Sequence, residues 1–358
     1  MNEGISSQFC SLSYIAVDDV AEIAMQLGQG AKLAKLDLAK AYRMVPVHPE
    51  DRRLLGMKWQ GQLYLNSALP FGLRSAPKLF NAVADALEWV IRDRGVRFVA
   101  HYLDDFVVVG KPQSDECDRA LSTALSSCED LGCPTVPDKQ EGPSTCIDLL
   151  GITVDTTAQE LRLPAEKLKR LQALIVKWRP WKSCQKKELL SLIGRLHHAC
   201  KVVRPGRRFL RRMIALSTVA KELHHHIRLN SSFRSDLAWW HTFLESWNGV
   251  SILQVLHKQR PDTFLWSDAA GSWGCAALWG REWFQYPWND RMRGTSIAVM
   301  EFLPIVMAAV IWGKSWTGLT IQCNCDNEAV VYVINSGTSK DLGLMQLLRC
   351  LFFVEEKI

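Results

Sequence analysis

The sequence predicts an α+β, multidomain protein, and three observations carry that reading. Its 358 residues exceed what one ordinary core organises. Alternating β-type runs and helical periodicities both occur, segregated along the chain. Charge is partitioned as well: the net +6 conceals residues 161–258, with 20 Lys/Arg against 5 Asp/Glu. Residues 1–160 hold 15 basic against 22 acidic groups, and residues 259–358 hold 8 against 10. A basic block between two acidic ones predicts a polyanion-binding segment flanked by segments that use carboxylates otherwise. A composition 48% hydrophobic and 22% charged excludes wholesale disorder. No uninterrupted run of about 18 apolar residues is visible, so no membrane association is expected. Met1–Cys10 lacks the basic and apolar regions of a secretory signal. The eleven Cys, without C-x-x-C spacing, read as reduced thiols of a cytoplasmic or nuclear protein.

In residues 1–160, Lys32–Leu38 alternates, placing Ala34, Leu36 and Leu38 on one face and Lys35 and Asp37 on the other. That pattern is a half-buried strand with Asp37 on its polar side. Arg97–Tyr102 and Phe106–Val109 form a hairpin around Leu103-Asp104-Asp105. Ser75–Ile91 repeats Leu79, Val83, Leu87 and Val90 at helical spacing, with Pro77 in the first turn. In residues 161–258, Leu168, Leu171, Leu174 and Ile175 mark a helix ended by Pro180. Ser183 is positioned to cap the next, which presents Leu189, Leu192, Ile193 and Leu196. A third helix follows Pro205. Residues 259–358 return to β-type runs at Thr263–Trp266, Cys275–Trp279 and Leu319–Cys323, with a helix from Glu301 to Trp312 between the last two.

The chemistry centres on carboxylates. Asp104 and Asp105 are adjacent and flanked by apolar runs, which fits either a polar turn or a cation site. With Asp37 they offer three carboxylates suited to hard divalent ions such as Mg²⁺, with Mn²⁺ as a substitute. Asp268 follows a strand-like run, Glu301 lies on the expected helix, and Asp326 ends the last strand run. His224-His-His226 reads as surface, since consecutive residues do not share one helix face.

Three motifs carry a resemblance. Tyr102-Leu-Asp-Asp105 resembles the Tyr-x-Asp-Asp motif of reverse transcriptases. Leu36-Asp-Leu-Ala-Lys-Ala-Tyr42 resembles the family's first catalytic motif, and Leu69-Pro-Phe-Gly-Leu-Arg-Ser-Ala-Pro-Lys-Leu-Phe80 its template- and nucleotide-holding loop and helix. The wording around them is most similar to the DIRS-like, tyrosine-recombinase class of retrotransposons. The resemblance implies a polymerase palm with partial fingers over 1–160, a helical basic thumb or connection over 161–258, and a truncated ribonuclease H-like α/β domain over 259–358. It implies RNA-directed DNA polymerase activity with RNA template, DNA primer, RNA–DNA hybrid and dNTPs as partners, and two Mg²⁺ per site. Asp37, Asp104 and Asp105 become the palm ligands. Tyr42 becomes the gate against a 2′-hydroxyl, Phe71, Gly72 and Arg74 pocket residues, Lys139 the donor to pyrophosphate, and Leu150-Gly151 the primer-grip turn. Asp268, Glu301 and Asp326 match ribonuclease H acids. Lys186, Lys187, Arg204, Arg207, Arg208, Arg211 and Arg212 are the expected backbone contacts. Two departures, the short stretch before the first motif and the end at Ile358 ahead of the family's last acid, leave an alternative open: a catalytically inactive retroelement remnant that only binds nucleic acid. A helix-turn-helix regulator built on Leu189–Leu216 accounts for neither acidic block.

Overall fold

The computed structural model describes residues 2, 5, 6, 8, 10–246, 250–252, 261–292 and 294–355. The chain divides into two units, Met1–Pro164 with Ser251–Leu256, and Ala165–Val250 with His257–Ile358.

In the first unit, α1 (Val17–Leu27) leads into β1 (Lys32–Asp37), then a hairpin β2 (Gly56–Trp59) and β3 (Gln62–Leu65), α2 (Ala76–Asp93), β4 (Val99–Tyr102), β5 (Asp105–Gly110) and α3 (Glu116–Asp130). β6 (Glu141–Ser144), β7 (Cys146–Leu149), β8 (Ile152–Asp155) and β9 (Glu160–Arg162) follow. The main sheet runs β4-β5-β1-β6, antiparallel at β4/β5, β5/β1 and β1/β6. Ala34, Leu36 and Leu38 face α2 and α3, packing with Phe80, Ala84, Leu87, Ile91, Phe106 and Ala124. β1 differs from its expected half-buried character. Leu33 is buried on the opposite side, where α1 lies against β5, and Asp37 itself is only 6% exposed. A central strand covered on both faces tolerates few polar positions, so a carboxylate kept at Asp37 is costly there. The α2 stripe is offset from expectation. Phe80, Ala84, Leu87 and Ile91 are buried, whereas Leu79 is 50% exposed. Two apolar stripes one residue apart compete on this helix, and the one carrying the larger Phe80 ring wins. β7 and β8 turn at Leu150 and Gly151, both in the left-handed region.

The second unit begins with α4 (Ala165–Trp178), β10 (Ser183–Gln185), α5 (Lys186–Ala199), α6 (Arg211–Ser217), β11 (His226–Arg228) and α7 (Ser231–Ser246). Ser183 does not cap α5, because it pairs with Arg228 in the β10/β11 ribbon. Glu188 caps instead, its carboxylate accepting the Gln185 N–H at 2.8 Å. The helix expected after Pro205 is split into a 3₁₀ turn, Arg204–Phe209, and α6. Phe209 stacks flat on Trp239 at 3.8 Å. His224, His225 and His226 are exposed.

Next come β12 (Thr263–Ala270), β13 (Gly274–Trp279), β14 (Glu282–Pro287), α8 (Ile297–Trp312), β15 (Ile321–Asn324), α9 (Glu328–Ser336) and α10 (Leu342–Glu355). The sheet runs β14-β13-β12-β15, with β15 parallel to β12 after the α8 crossover. Strand β14 was missing from the sequence reading, since Glu282–Pro287 is almost wholly exposed and carries no apolar alternation. Contrary to expectation, one helical stretch, Ile297–Trp316, is long and apolar enough to cross a membrane, at mean hydropathy 1.8. Here it serves as a core helix, 56% buried, with Phe302, Ile305 and Ala308 packed against Leu265 and Ala277.

α7 and α10 share a buried ionic knot. Asp236 is 2% exposed and accepts from Arg349 Nη2 at 3.1 Å and Arg212 Nη1 at 3.5 Å. Arg349 also donates twice to the Arg208 carbonyl, at 2.8 and 3.2 Å. Burial pushes the Asp236 carboxyl up to about 6, and the two guanidiniums limit the rise. Removing one partner strands the other in a low-dielectric site. Asp236→Ala should therefore destabilise the second unit by ~3–5 kcal/mol. Combining it with Arg349→Met should recover part of that loss in calorimetric melting, and strictly additive losses would contradict the knot.

Candidate functional site

The palm cluster is assembled by strand register. Asp37 closes β1 and stands directly opposite Asp105, the first residue of β5. Asp104 occupies the β4–β5 turn, made possible by Leu103 at φ +55°, and its carbonyl accepts the Leu38 N–H at 2.9 Å. Apolar β4, β5 and β1 leave little freedom to this turn, so three carboxylates converge at one sheet end.

Lys139 answers them. It lies in the 3₁₀ turn Pro137–Lys139, which is tied to the palm by the Val136 N–H donating to the Asp37 carbonyl at 2.9 Å. Its Nζ donates to both Asp37 oxygens, at 3.0 and 2.9 Å. The lysine side chain is itself 60% exposed, whereas that of Asp37 is 9% exposed. Lys139 is raised above its ordinary value, first by the Asp37 hydrogen bond and then by the Asp37 charge. Burial drives Asp105 up to about 6, reinforced by its hydrogen bond to Asp37 and by the charges of Asp104 and Asp37. Burial likewise raises Asp104, with the Asp37 charge adding to it.

Tyr42, in the 3₁₀ turn Ala41–Met44, stands between Phe71 and Phe80 at ring separations of 5.3 and 5.5 Å. Burial raises its hydroxyl, as do Tyr14, Asp104 and Tyr102, so the ring lies within electrostatic range of the carboxylates. Phe71 is 70% exposed. Phe71 and Gly72, the latter at φ +85°, line a cavity of 690 Å³ together with Asn2, Arg43, Leu55 and Met57. Arg74 does not line it: its guanidinium donates to the Ile5 carbonyl and its N–H to Asn2 Oδ1, both at 2.9 Å. Arg43 is the cavity's arginine, braced by Asn66 Oδ1 at 2.8 Å and the Ala68 carbonyl at 3.1 Å. Its only signal in the sequence was adjacency to Tyr42.

In the second unit, the charges of Asp326 and Asp268 both bear on Glu301 of α8. Glu301 is 4% exposed, and burial first, then those two charges, push its carboxyl up to about 7. Among the described residues its Oε2 has no hydrogen-bond partner. Glu301, Cys325 and Asp326 each bring one candidate ligand atom within 4.8 Å of the others. Asp268 is exposed, and Cys325, which the sequence offers only as the residue before Asp326 in Cys325-Asp-Asn327, joins the cluster as a third donor.

The basic segment is not uniformly outward. Lys186 Nζ donates to the Ala220 and Lys221 carbonyls at 2.8 and 3.1 Å, and Arg212 pairs with Asp236. Arg208 lies 5.0 Å over the Phe352 ring. Lys187 and Arg207 are exposed and Arg211 half-exposed, while the Arg204 side chain lies outside the described residues.

Residues 4–154 match the family described as reverse transcriptase (RNA-dependent DNA polymerase). These residues are similar to a reverse-transcriptase domain. The retrovirus-related Pol polyprotein from transposon gypsy of Drosophila melanogaster is 27% identical over 150 residues, which is 42% of this chain and 14% of that polyprotein. The Pro-Pol polyprotein of simian foamy virus type 1 is 26% identical over 166 residues, 43% of this chain and 14% of its own length. The chain thus spans a small part of the polyproteins it resembles. A foamy viral protease-reverse transcriptase solved with double-stranded DNA aligns at TM-score 0.55 and 14% identity, covering 99% of this chain and 59% of that one. The same viral enzyme with RNA/DNA hybrid aligns at 0.52 and 14%, over 91% and 43%. At that identity the likeness establishes the fold alone, a mixed α/β architecture.

The raised Asp105 has a consequence for stability. A carboxyl whose folded value lies above its unfolded one costs stability when ionised, so the cost is present above pH ~6 and relieved as pH falls toward ~4. Without divalent ions, Asp105→Asn should melt higher than wild type at pH 8, by on the order of 1 kcal/mol after solvent screening. The two curves should converge near pH 4. A difference independent of pH would contradict the assignment.

Proposed function

We propose that this chain is the RNA-directed DNA polymerase portion of a retrotransposon polyprotein, extending dNTPs onto a primer 3′-hydroxyl, with an associated ribonuclease H-like block at 259–358 and a basic thumb or connection at 161–258. The observation that carries the reading is the register itself: Asp37 opposite Asp105, with Asp104 in the adjoining turn. The wording around these motifs favours a DIRS-like element.

Asp37, Asp104 and Asp105 fit divalent ions, because three half-buried or buried carboxylates face each other with one exposed ammonium among them, and two remain raised. The same reasoning fits Glu301, whose buried Oε2 is unpartnered beside Asp326, with Asp268 in electrostatic range. When bound, two Mg²⁺ or Mn²⁺ ions supply Lewis-acid activation of the attacking oxygen and charge neutralisation at the leaving group. The chain's own residues do the rest. Tyr42, wedged between Phe71 and Phe80, offers a fixed ring edge that crowds a ribose 2′-hydroxyl. Gly72 allows close backbone approach, and Arg43 presents a braced cation at the nucleotide cavity. Lys139 Nζ holds a proton deliverable to pyrophosphate once it leaves Asp37. Lys187, Arg207 and Arg211 bind phosphates of the template–primer duplex without reading bases.

A primed RNA template tests this. Asp104→Asn should abolish Mg²⁺-dependent extension and leave hybrid affinity unchanged within a few-fold, while Lys187→Ala, Arg207→Ala and Arg211→Ala should each lower the salt slope of binding by about 1. Equal extension by wild type and Asp104→Asn would overturn the polymerase reading. Salt-sensitive hybrid binding with no extension under Mg²⁺ or Mn²⁺ would favour the inactive remnant.

A further inference from the structure

The acid cluster of the second unit contains a sulfur that polymerase or nuclease chemistry does not require. Cys325 directly follows β15 and directly precedes Asp326, so its thiol and the Asp326 carboxylate converge on Glu301 from one loop. The three ligand atoms lie within 4.8 Å of one another. Glu301 Oε2 has no hydrogen-bond partner among the described residues although the residue is 4% exposed. A buried carboxylate oxygen without a donor marks a place where a ligand belongs. Beside it opens a cavity of 540 Å³ lined by Cys325, Asp326, Glu328 and Tyr332, which gives solutes access.

We propose that Glu301, Cys325 and Asp326 form a mixed thiolate–carboxylate site for Zn²⁺, overlapping the acid cluster and excluding the hard ion from it. This rests on the reading of Glu301 and Asp326 as metal ligands. Mg²⁺ demands a near-octahedral shell of oxygens and gains nothing from sulfur. Zn²⁺ accepts four ligands of mixed type, with bonds of ~2.0–2.3 Å that place donors roughly 3.3–3.8 Å apart in a tetrahedron. The observed donors need to close by only about 1 Å, and Asp326 is exposed and Cys325 half-buried, so both side chains have room to turn. Water takes the fourth position. Sulfur binds zinc as the thiolate, not as the thiol. Zn²⁺ therefore displaces the thiol proton: one Zn–S bond forms, one S–H bond breaks, and the proton passes to buffer. A Zn²⁺ ion so held antagonises Mg²⁺ in this block and leaves the palm cluster untouched, because Asp37, Asp104 and Asp105 have no sulfur among them.

Cobalt(II) serves as the probe, since a thiolate bound to it gives a near-ultraviolet charge-transfer band that oxygen ligands do not. The full chain titrated with Co²⁺ should show a band that Zn²⁺ abolishes. The band should be lost in Cys325→Ser and weakened in Glu301→Gln, while far-ultraviolet circular dichroism stays unchanged. Zn²⁺ affinity at this site should fall by about tenfold or more in Cys325→Ser. Mn²⁺ binding by the same variant should match wild type. Identical Co²⁺ spectra in wild type and Cys325→Ser, with Mn²⁺ binding still weakened by Asp326→Asn, would overturn the thiolate site and leave the carboxylate reading standing. Mn²⁺ binding indifferent to both Glu301→Gln and Asp326→Asn would overturn that underlying reading and the proposal with it.

Discussion

Mutual repulsion among Asp37, Asp104 and Asp105 is the constraint around which the palm is organised. Carboxylates on adjoining strand ends would separate if the chain allowed it. Here the strands do not allow it. Leu36 and Phe106, paired in the β1/β5 register one step inside the acids, are buried, and the Leu38 N–H is committed to the Asp104 carbonyl. The repulsion is eased instead by Lys139 spanning both Asp37 oxygens, and what remains contributes, with burial, to raising Asp105 to about 6. The palm is thus poised for added positive charge, and its resting pairing is one that a cation can replace.

The acid cluster in the second unit reaches the same end by different means. Its central carboxylate, Glu301, sits on a helix whose other positions are overwhelmingly apolar, including Met300, Phe302 and Ile305. Packing holds Glu301 in place, and no lysine shares its carboxylate among the described residues. Part of the basic segment's charge is also structural. Arg212 pairs with Asp236, and Lys186 satisfies backbone carbonyls. The excess of cations in residues 161–258 therefore overstates what is available to a polyanion.

The sequence was most legible where local geometry and chemistry coincide. The β4–β5 hairpin, the left-handed turn at Leu150-Gly151 and the convergence of Asp37, Asp104 and Asp105 all follow from runs of β-type residues broken by turn-forming or charged ones. It was least legible where a tertiary partner decided the outcome. Ser183 reads as a cap until β11 claims it as a strand residue. Arg74 reads as a pocket cation until Asn2 and Ile5, about seventy positions away, claim its donors. The choice between the Leu79 and Phe80 stripes on α2 depends on which ring the β1 face admits. Cys325 is legible only as part of Cys325-Asp-Asn327, since its thiol's place beside Glu301 arises on folding.

The central claim is that Lys139 occupies a place in the palm cluster that a divalent cation competes for. Electron paramagnetic resonance titration of Mn²⁺, in an Asp326→Asn background to silence the second cluster, tests it directly. Lys139→Met should bind Mn²⁺ several-fold more tightly than its Lys139 parent, and Asp37→Asn should bind it much more weakly. Affinity unaltered by Lys139→Met would contradict the account.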